Sequence, residues 1–154
     1  MTLSIAGRCP ETGMLGGAVT SSSICVASRC LFTRADVGAA LSQNVTDPSL
    51  GEKMLSLLES GANVKSALSR VVSESNHIQW RQLLLLDSMG SSALHTGEKV
   101  LGLHSTVQGN QCAAAANLLS NQSVPNAMVE AFEKSTGHLA ERLIIALEAG
   151  VSAG

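Results

Sequence analysis

The chain has 154 residues, 45% hydrophobic and only 14% charged, with a net charge of −2. That length suits one domain spanning residues 1–154, which can bury a core without disulfides or metal. The charge leaves no electrostatic footprint for nucleic acid, and one Trp, two Phe and no Tyr leave little to stack on bases. The scarcity of charge predicts that much of the surface is covered by a second chain or by copies of this one.

Taken in order, Met1 to Arg8 reads as a strand, with Thr2, Ser4, Ala6 and Arg8 on one face and Leu3, Ile5 and Gly7 on the other. Pro10 and Gly13 mark a turn, and Met14 to Thr20 returns as a second strand, where Gly16, Gly17 and Ala18 leave room for close approach. Ser23 to Phe32 is predicted as a third strand and Val37 to Asn44 as a fourth. Ser49 to Ser60 reads as a helix with Leu50, Met54, Leu57 and Leu58 on one stripe, and Asn63 caps a second helix bearing Val64, Ala67, Leu68 and Val71. Trp80 to Asp87 contains Leu83–Leu86, a run suited to a strand buried on both faces, and Ser91–Thr96 and Lys99–His104 complete a meander. The remainder is expected to be helical. One helix opens at Ser123 and Pro125, and another carries Leu139, Leu143, Ile144 and Leu147 and stops at Gly150. The tail Val151–Gly154 looks like the start of a loop.

The cysteines Cys9, Cys25, Cys30 and Cys112 have no metal-ligand spacing and read as thiols in a reducing cytoplasm. No apolar run reaches ~18 residues, and the N-terminus lacks the pattern of a signal peptide, so a cytoplasmic location without membrane contact is expected.

Several segments, in their order, resemble a bacterial family of uncharacterised function grouped with the N-terminal-nucleophile (Ntn) hydrolases and sometimes mislabelled as pilin. They are Met1-Thr2 with Ser4-Ile5, Pro10-Glu11-Thr12-Gly13, Gly38-Ala39-Ala40 with Gln43, and Asp47-Pro48-Ser49-Leu50-Gly51. His95-Thr96-Gly97-Glu98, Asn117-Leu118-Leu119 and Leu139-Ala140-Glu141-Arg142-Leu143 extend the likeness over nearly the whole chain. The order of elements is also similar to that of proteasome-type β subunits. The resemblance implies an α+β fold, a four-layer αββα sandwich of Ntn type that is incomplete at its C-terminus. It also implies an amide-bond hydrolase in which the first residue of the mature chain is the nucleophile and its own α-amine the base.

That position is Thr2, exposed on removal of Met1. A threonine hydroxyl needs a base, and an α-amine with a pKa near ~7.7–8.0 supplies one within reach. The same resemblance makes Asn117 the oxyanion donor and gives Gln43 and Asn44 the substrate amide. Ser4 shares the Thr2 face and could orient it; Ser21 could line the site; His95 lies in the matched turn. Arg29, placed on the third strand, is the nearest cation where the family's lysine has no match. Other readings stand beside these: a strand-start Thr2, a buried polar Ser4, a turn His95 bonded to backbone, and Asn117 as a helix N-cap. Departures include Ala116 where the family has glycine and Cys9 in place of an acidic residue.

The expected function is hydrolysis of a small amide, cyclic amide or peptide, without metal or cofactor. The alternative is a non-catalytic or scaffold subunit whose partner chain carries the nucleophile. The family's chain continues past Gly154 with a strand that completes its sheet, so a second chain at an open sheet edge, or a homo-oligomer, is expected.

Overall fold

The structure, a computed structural model, describes residues 1–154. β1 (Thr2–Arg8) and β2 (Leu15–Ser21) form an antiparallel hairpin running from Thr2 opposite Ser21 to Arg8 opposite Leu15. The turn between them is closed at Gly13, whose φ of +74° strains any residue with a Cβ. A one-turn helix α1 (Ala27–Cys30) then leads into β3 (Leu31–Arg34) and β4 (Gly38–Asn44). Helices α2 (Ser49–Glu59) and α3 (Val64–Glu74) follow, and the Asn63 side chain accepts the Ser66 N–H at 2.9 Å as the expected cap. A 3-10 turn at Ile78–Trp80 opens β5 (Arg81–Asp87), and β6 (Ser92–Thr96), β7 (Leu103–Gly109) and β8 (Cys112–Leu119) come next. α4 (Val124–Lys134) and α5 (Leu139–Ala153) close the chain.

The strands form two antiparallel sheets, ordered β2-β1-β8-β7 and β3-β4-β5-β6. Strand alternation explains how they are buried. Leu83 and Leu85 pack with Met54, Leu55, Leu68 and Val71 of α2 and α3, whereas Leu84 and Leu86 meet Ala6, Ala113 and Ala115 between the sheets. On the other sheet, Leu3 and Ile5 pack with Phe132, Leu143 and Leu147 of α4 and α5. The run Ala113–Ala116 is fully buried on both faces, its methyl groups letting neighbouring layers come close. Gly7 serves the same end, since a Cβ there would lie 2.6 Å from the Phe132 ring.

Several expectations are corrected. The predicted four-layer αββα sandwich of Ntn type, lacking C-terminal strands, gives way to a small α+β domain of two antiparallel four-stranded sheets and five helices. The predicted third strand, Ser23–Phe32, is broken by a turn at Cys25 (φ +51°) and by α1, and β3 begins only at Leu31. Arg29 therefore sits on a helix. The stretch after His104, predicted to be helical, supplies two strands; the alanines of β8 have high helix propensity, but burial on both faces overrides it. Lys99–Gly102 lies outside any strand. The tail predicted as a loop continues α5 to Ala153. No helix is long and apolar enough to cross a membrane.

Candidate active site

Thr2 opens β1 between Ser21 of β2 and Asn117 of β8. Residues directly opposite across antiparallel strands carry side chains on the same face. Three polar side chains therefore stand abreast, facing the second sheet. Thr2 Oγ1 lies 3.0 Å from Ser21 Oγ, which in turn accepts the Ser23 N–H at 3.2 Å. A cleft of about 240 Å³ opens here, lined by Thr2, Ser21, Arg29, Cys30, Gln43 and Asn44 among others.

Beneath the cleft lies a chain of buried amides. Gln82 Nε2 donates to the Ala116 carbonyl at 3.2 Å, which turns Gln82 Oε1 toward its neighbours. That oxygen accepts Gln43 Nε2 at 2.7 Å and Asn117 Nδ2 at 3.0 Å. Gln43 Nε2 also donates to the Ala115 carbonyl at 3.2 Å, so both of its amide protons are used. Gln43 Oε1 is left buried without a partner. An unmade buried hydrogen bond is costly, and such a group calls for a reason. The arrangement puts the Thr2 hydroxyl at the cleft together with Gln43, whose Oε1 acceptor is unsatisfied. Asn117 Nδ2 retains a second N–H beyond the one given to Gln82.

The expected site residues fall into two groups. Thr2, Ser21, Arg29, Gln43 and Asn44 line one cleft, and Asn117 lies directly across from Thr2. Arg29 reaches it from α1, with Nη1 donating to the Ile24 carbonyl and Nη2 to Ser23 Oγ, both at 2.5 Å. Asn44, at φ +72°, donates to the Trp80 carbonyl at 2.8 Å and accepts the Leu101 N–H at 3.4 Å, so its amide is structural. Ser4 donates to the Ala115 carbonyl at 2.9 Å and does not orient Thr2. Asn117 is a strand residue, not a helix cap.

His95 is not part of the site. It pairs with Leu83, whose side chain faces α2 and α3, so it occupies the sheet face opposite to Gln43 and Gln82. Burial holds its pKa below the ordinary value, partly offset by a hydrogen bond with the Ile78 backbone, and its buried Nε2 has no partner.

Sequence reasoning missed Gln82, the hub of the amide chain. Its signal was a single amide immediately before four leucines, opposite Gln43 in the paired strand. It also left Cys30 without a role; its Sγ lies 3.4 Å from Thr46 Oγ1, and both residues line the cleft.

A larger cleft of about 430 Å³ borders the far end of β1, between Cys9 and Arg142. Two of its charged groups are engaged: Arg142 Nη2 donates to the Phe132 carbonyl at 3.1 Å and Glu133 Oε1 accepts the Asn110 N–H at 2.7 Å. The Thr12 hydroxyl lowers the Cys9 thiol from its ordinary value, whereas burial pushes Cys112 up to about 12.

Comparison with known proteins gives two matches. A family model described as a family of unknown function (DUF1028) matches residues 2–154. The crystal structure of a protein from Silicibacter pomeroyi, described with that same family model, is similar with a TM-score of 0.96 at 34% identity. The similarity covers 99% of this chain and 68% of that one. No curated protein matches.

Proposed function

The chain belongs to the DUF1028 family, whose description assigns no activity, and from that premise we propose that it is an amide-bond hydrolase with Thr2 as an N-terminal nucleophile. The observation that carries the reading is the placement of Thr2 Oγ1 beside Ser21 at a polar cleft that Gln43, with its unpartnered Oε1, also lines.

Removal of Met1 gives Thr2 a free α-amine, whose ordinary pKa near ~7.7–8.0 lets it take the hydroxyl proton at neutral pH. The hydroxyl oxygen attacks the substrate carbonyl, the C–N bond breaks, and the amine departs with a proton from the α-ammonium. The resulting Thr2 ester is then hydrolysed by water, which returns the hydroxyl and releases the acid. The Arg29 guanidinium disfavours a second positive charge nearby and so favours the free amine. The remaining N–H of Asn117 Nδ2 and adjacent backbone N–H groups are the donors for the developing oxyanion. This mechanism is what the affiliation with Ntn hydrolases consists of here, and it requires neither metal nor cofactor. The cleft volume suits a small amide, a cyclic amide or a peptide end. Four unpaired thiols support a reducing cytoplasm as its setting.

A second reading, a non-catalytic or scaffold subunit with the nucleophile on a partner chain, is favoured by two commitments. Ser4 is engaged with a backbone carbonyl, and one Asn117 donor is used by Gln82. In that reading a second chain or a further copy completes the site.

Intact-mass measurement of the natively purified protein, followed by assay against a panel of small amides, separates the two. The proposal expects loss of Met1 and turnover that Thr2→Ser retains and Thr2→Ala abolishes. Turnover unchanged in Thr2→Ala would sink it, and a co-purified chain beginning with Thr, Ser or Cys would move the chemistry to that partner.

A further inference from the structure

Arg81 is a buried cation without a counter-ion. It is 9% exposed, and it takes part in none of the molecule's ion pairs, which join Arg34, Lys53, Arg70 and Lys134 to exposed glutamates. One Nη1–H meets the Val45 carbonyl, and Nε is buried with no partner. A guanidinium carries five donors, and proteins seldom bury a charge without pairing it.

The surroundings suggest what is missing. Arg81 starts β5 on the face away from Gln82, and a cleft of about 350 Å³ opens there between Val45, His77, Trp80 and Arg81. No carboxylate lines it. Lys99 Nζ sits 5.7 Å from the centroid of the Trp80 ring, adding a second cation beside the aromatic wall. The cleft adjoins the Thr2 site without merging with it: Asn44 lines one, Val45 the other, and Asn44 donates to the Trp80 carbonyl at 2.8 Å.

We propose that this cleft binds a small organic carboxylate with a flat apolar body. The carboxylate meets the Arg81 fork, which matches its planar geometry, and the body lies against the Trp80 indole. Lys99 supplies longer-range attraction. The site stands whether or not Thr2 is a nucleophile, because none of its residues takes part in the proposed hydrolysis.

The experiment uses the fact that Trp80 is the only tryptophan and the chain has no tyrosine, so intrinsic fluorescence reports on this cleft alone. The purified protein is titrated with sodium benzoate at constant ionic strength, with benzamide as the neutral isostere and inorganic phosphate as the competing anion. The expected result is a saturable change with benzoate and none with benzamide. Affinity falls at least tenfold in Arg81→Gln and about twofold to fivefold in Lys99→Ala. Lys99 is exposed, so its variant keeps the test open if Arg81→Gln does not fold. A linear response to benzoate, equal responses to benzoate and benzamide, saturation by phosphate alone, or unchanged affinity in Lys99→Ala with Arg81→Gln unfolded or unchanged would each overturn the proposal.

Discussion

The space between the two sheets has two unlike ends built from the same four strands. At one end β1, β4, β5 and β8 contribute Ala6, Ala39, Leu84 with Leu86, and Ala113. Toward the Thr2 end the same strands contribute Ser4, Gln43, Gln82 and Asn117, all 1% exposed or less. The side chains of the apolar end are stabilised by burial and packing, which make no demand on hydrogen-bond orientation. The polar end needs each amide oriented by the next, and it still leaves Gln43 Oε1 unsatisfied. Apolar residues of similar volume would fill that end with less strain on hydrogen bonding, so the polar set is best explained by what it does for the cleft.

Substitutions at each end break or sharpen this contrast. On the proposed hydrolysis, the largest effect is expected from Thr2→Ala, which should lower amide turnover by roughly a thousandfold or more while leaving the thermal midpoint within a few degrees. A parallel assay and melting curve check both halves of that statement. At the apolar end, Leu84→Ala should cost about 2–5 kcal/mol in a urea titration, because a fully buried leucine leaves a cavity between two sheets. At the polar end, Gln82→Leu should cost about 1–3 kcal/mol by leaving the Gln43 and Asn117 amides without their acceptor. Adding Gln43→Leu to Gln82→Leu should recover part of that loss, and a double-mutant cycle showing strict additivity would mean the two amides do not act as a unit.

The smallest effect concerns His95, which lies on the other face of the sheet. Burial lowers its pKa, so the folded protein holds it neutral and binds fewer protons there than the unfolded chain. Its contribution to stability is therefore complete above the unfolded value of about 6.5 and declines as pH falls toward the folded one. Urea midpoints should drop between neutral pH and pH 5, and His95→Gln should flatten that part of the profile.

The two ends also differ in how legible they were. Leu83–Leu86 announced a doubly buried strand, and the stripes of α2, α3 and α4 announced helices, because apolar periodicity is a local signal. Thr2, Ser21, Gln43 and Asn117 were singled out by resemblance, and the register then set Thr2 between Ser21 and Asn117. Gln82 was passed over because a lone amide in a strand looks like any surface residue until its partners are known. His95 was misplaced for a related reason: it sits in the strand β6 rather than in a turn, and which side of the sheet it faces depends on a pairing with Leu83 that the segment itself does not encode. β8 was lost because an alanine run favours helix locally, and only burial on both faces makes it a strand.

The strand order also has a bearing on synthesis. The sheet β3-β4-β5-β6 is drawn from one continuous stretch, residues 31–96, and can assemble as soon as that stretch emerges from the ribosome. The other sheet places β1 against β8, so Thr2 has Ser21 beside it from the hairpin but waits for Asn117 before it has its second neighbour. Because non-local pairing is the slow step in folding, the surroundings of the Thr2 hydroxyl are complete only after residue 117 has been made and delivered. On the proposed hydrolysis, this order leaves Thr2 without its complete site while the nascent chain is still being made.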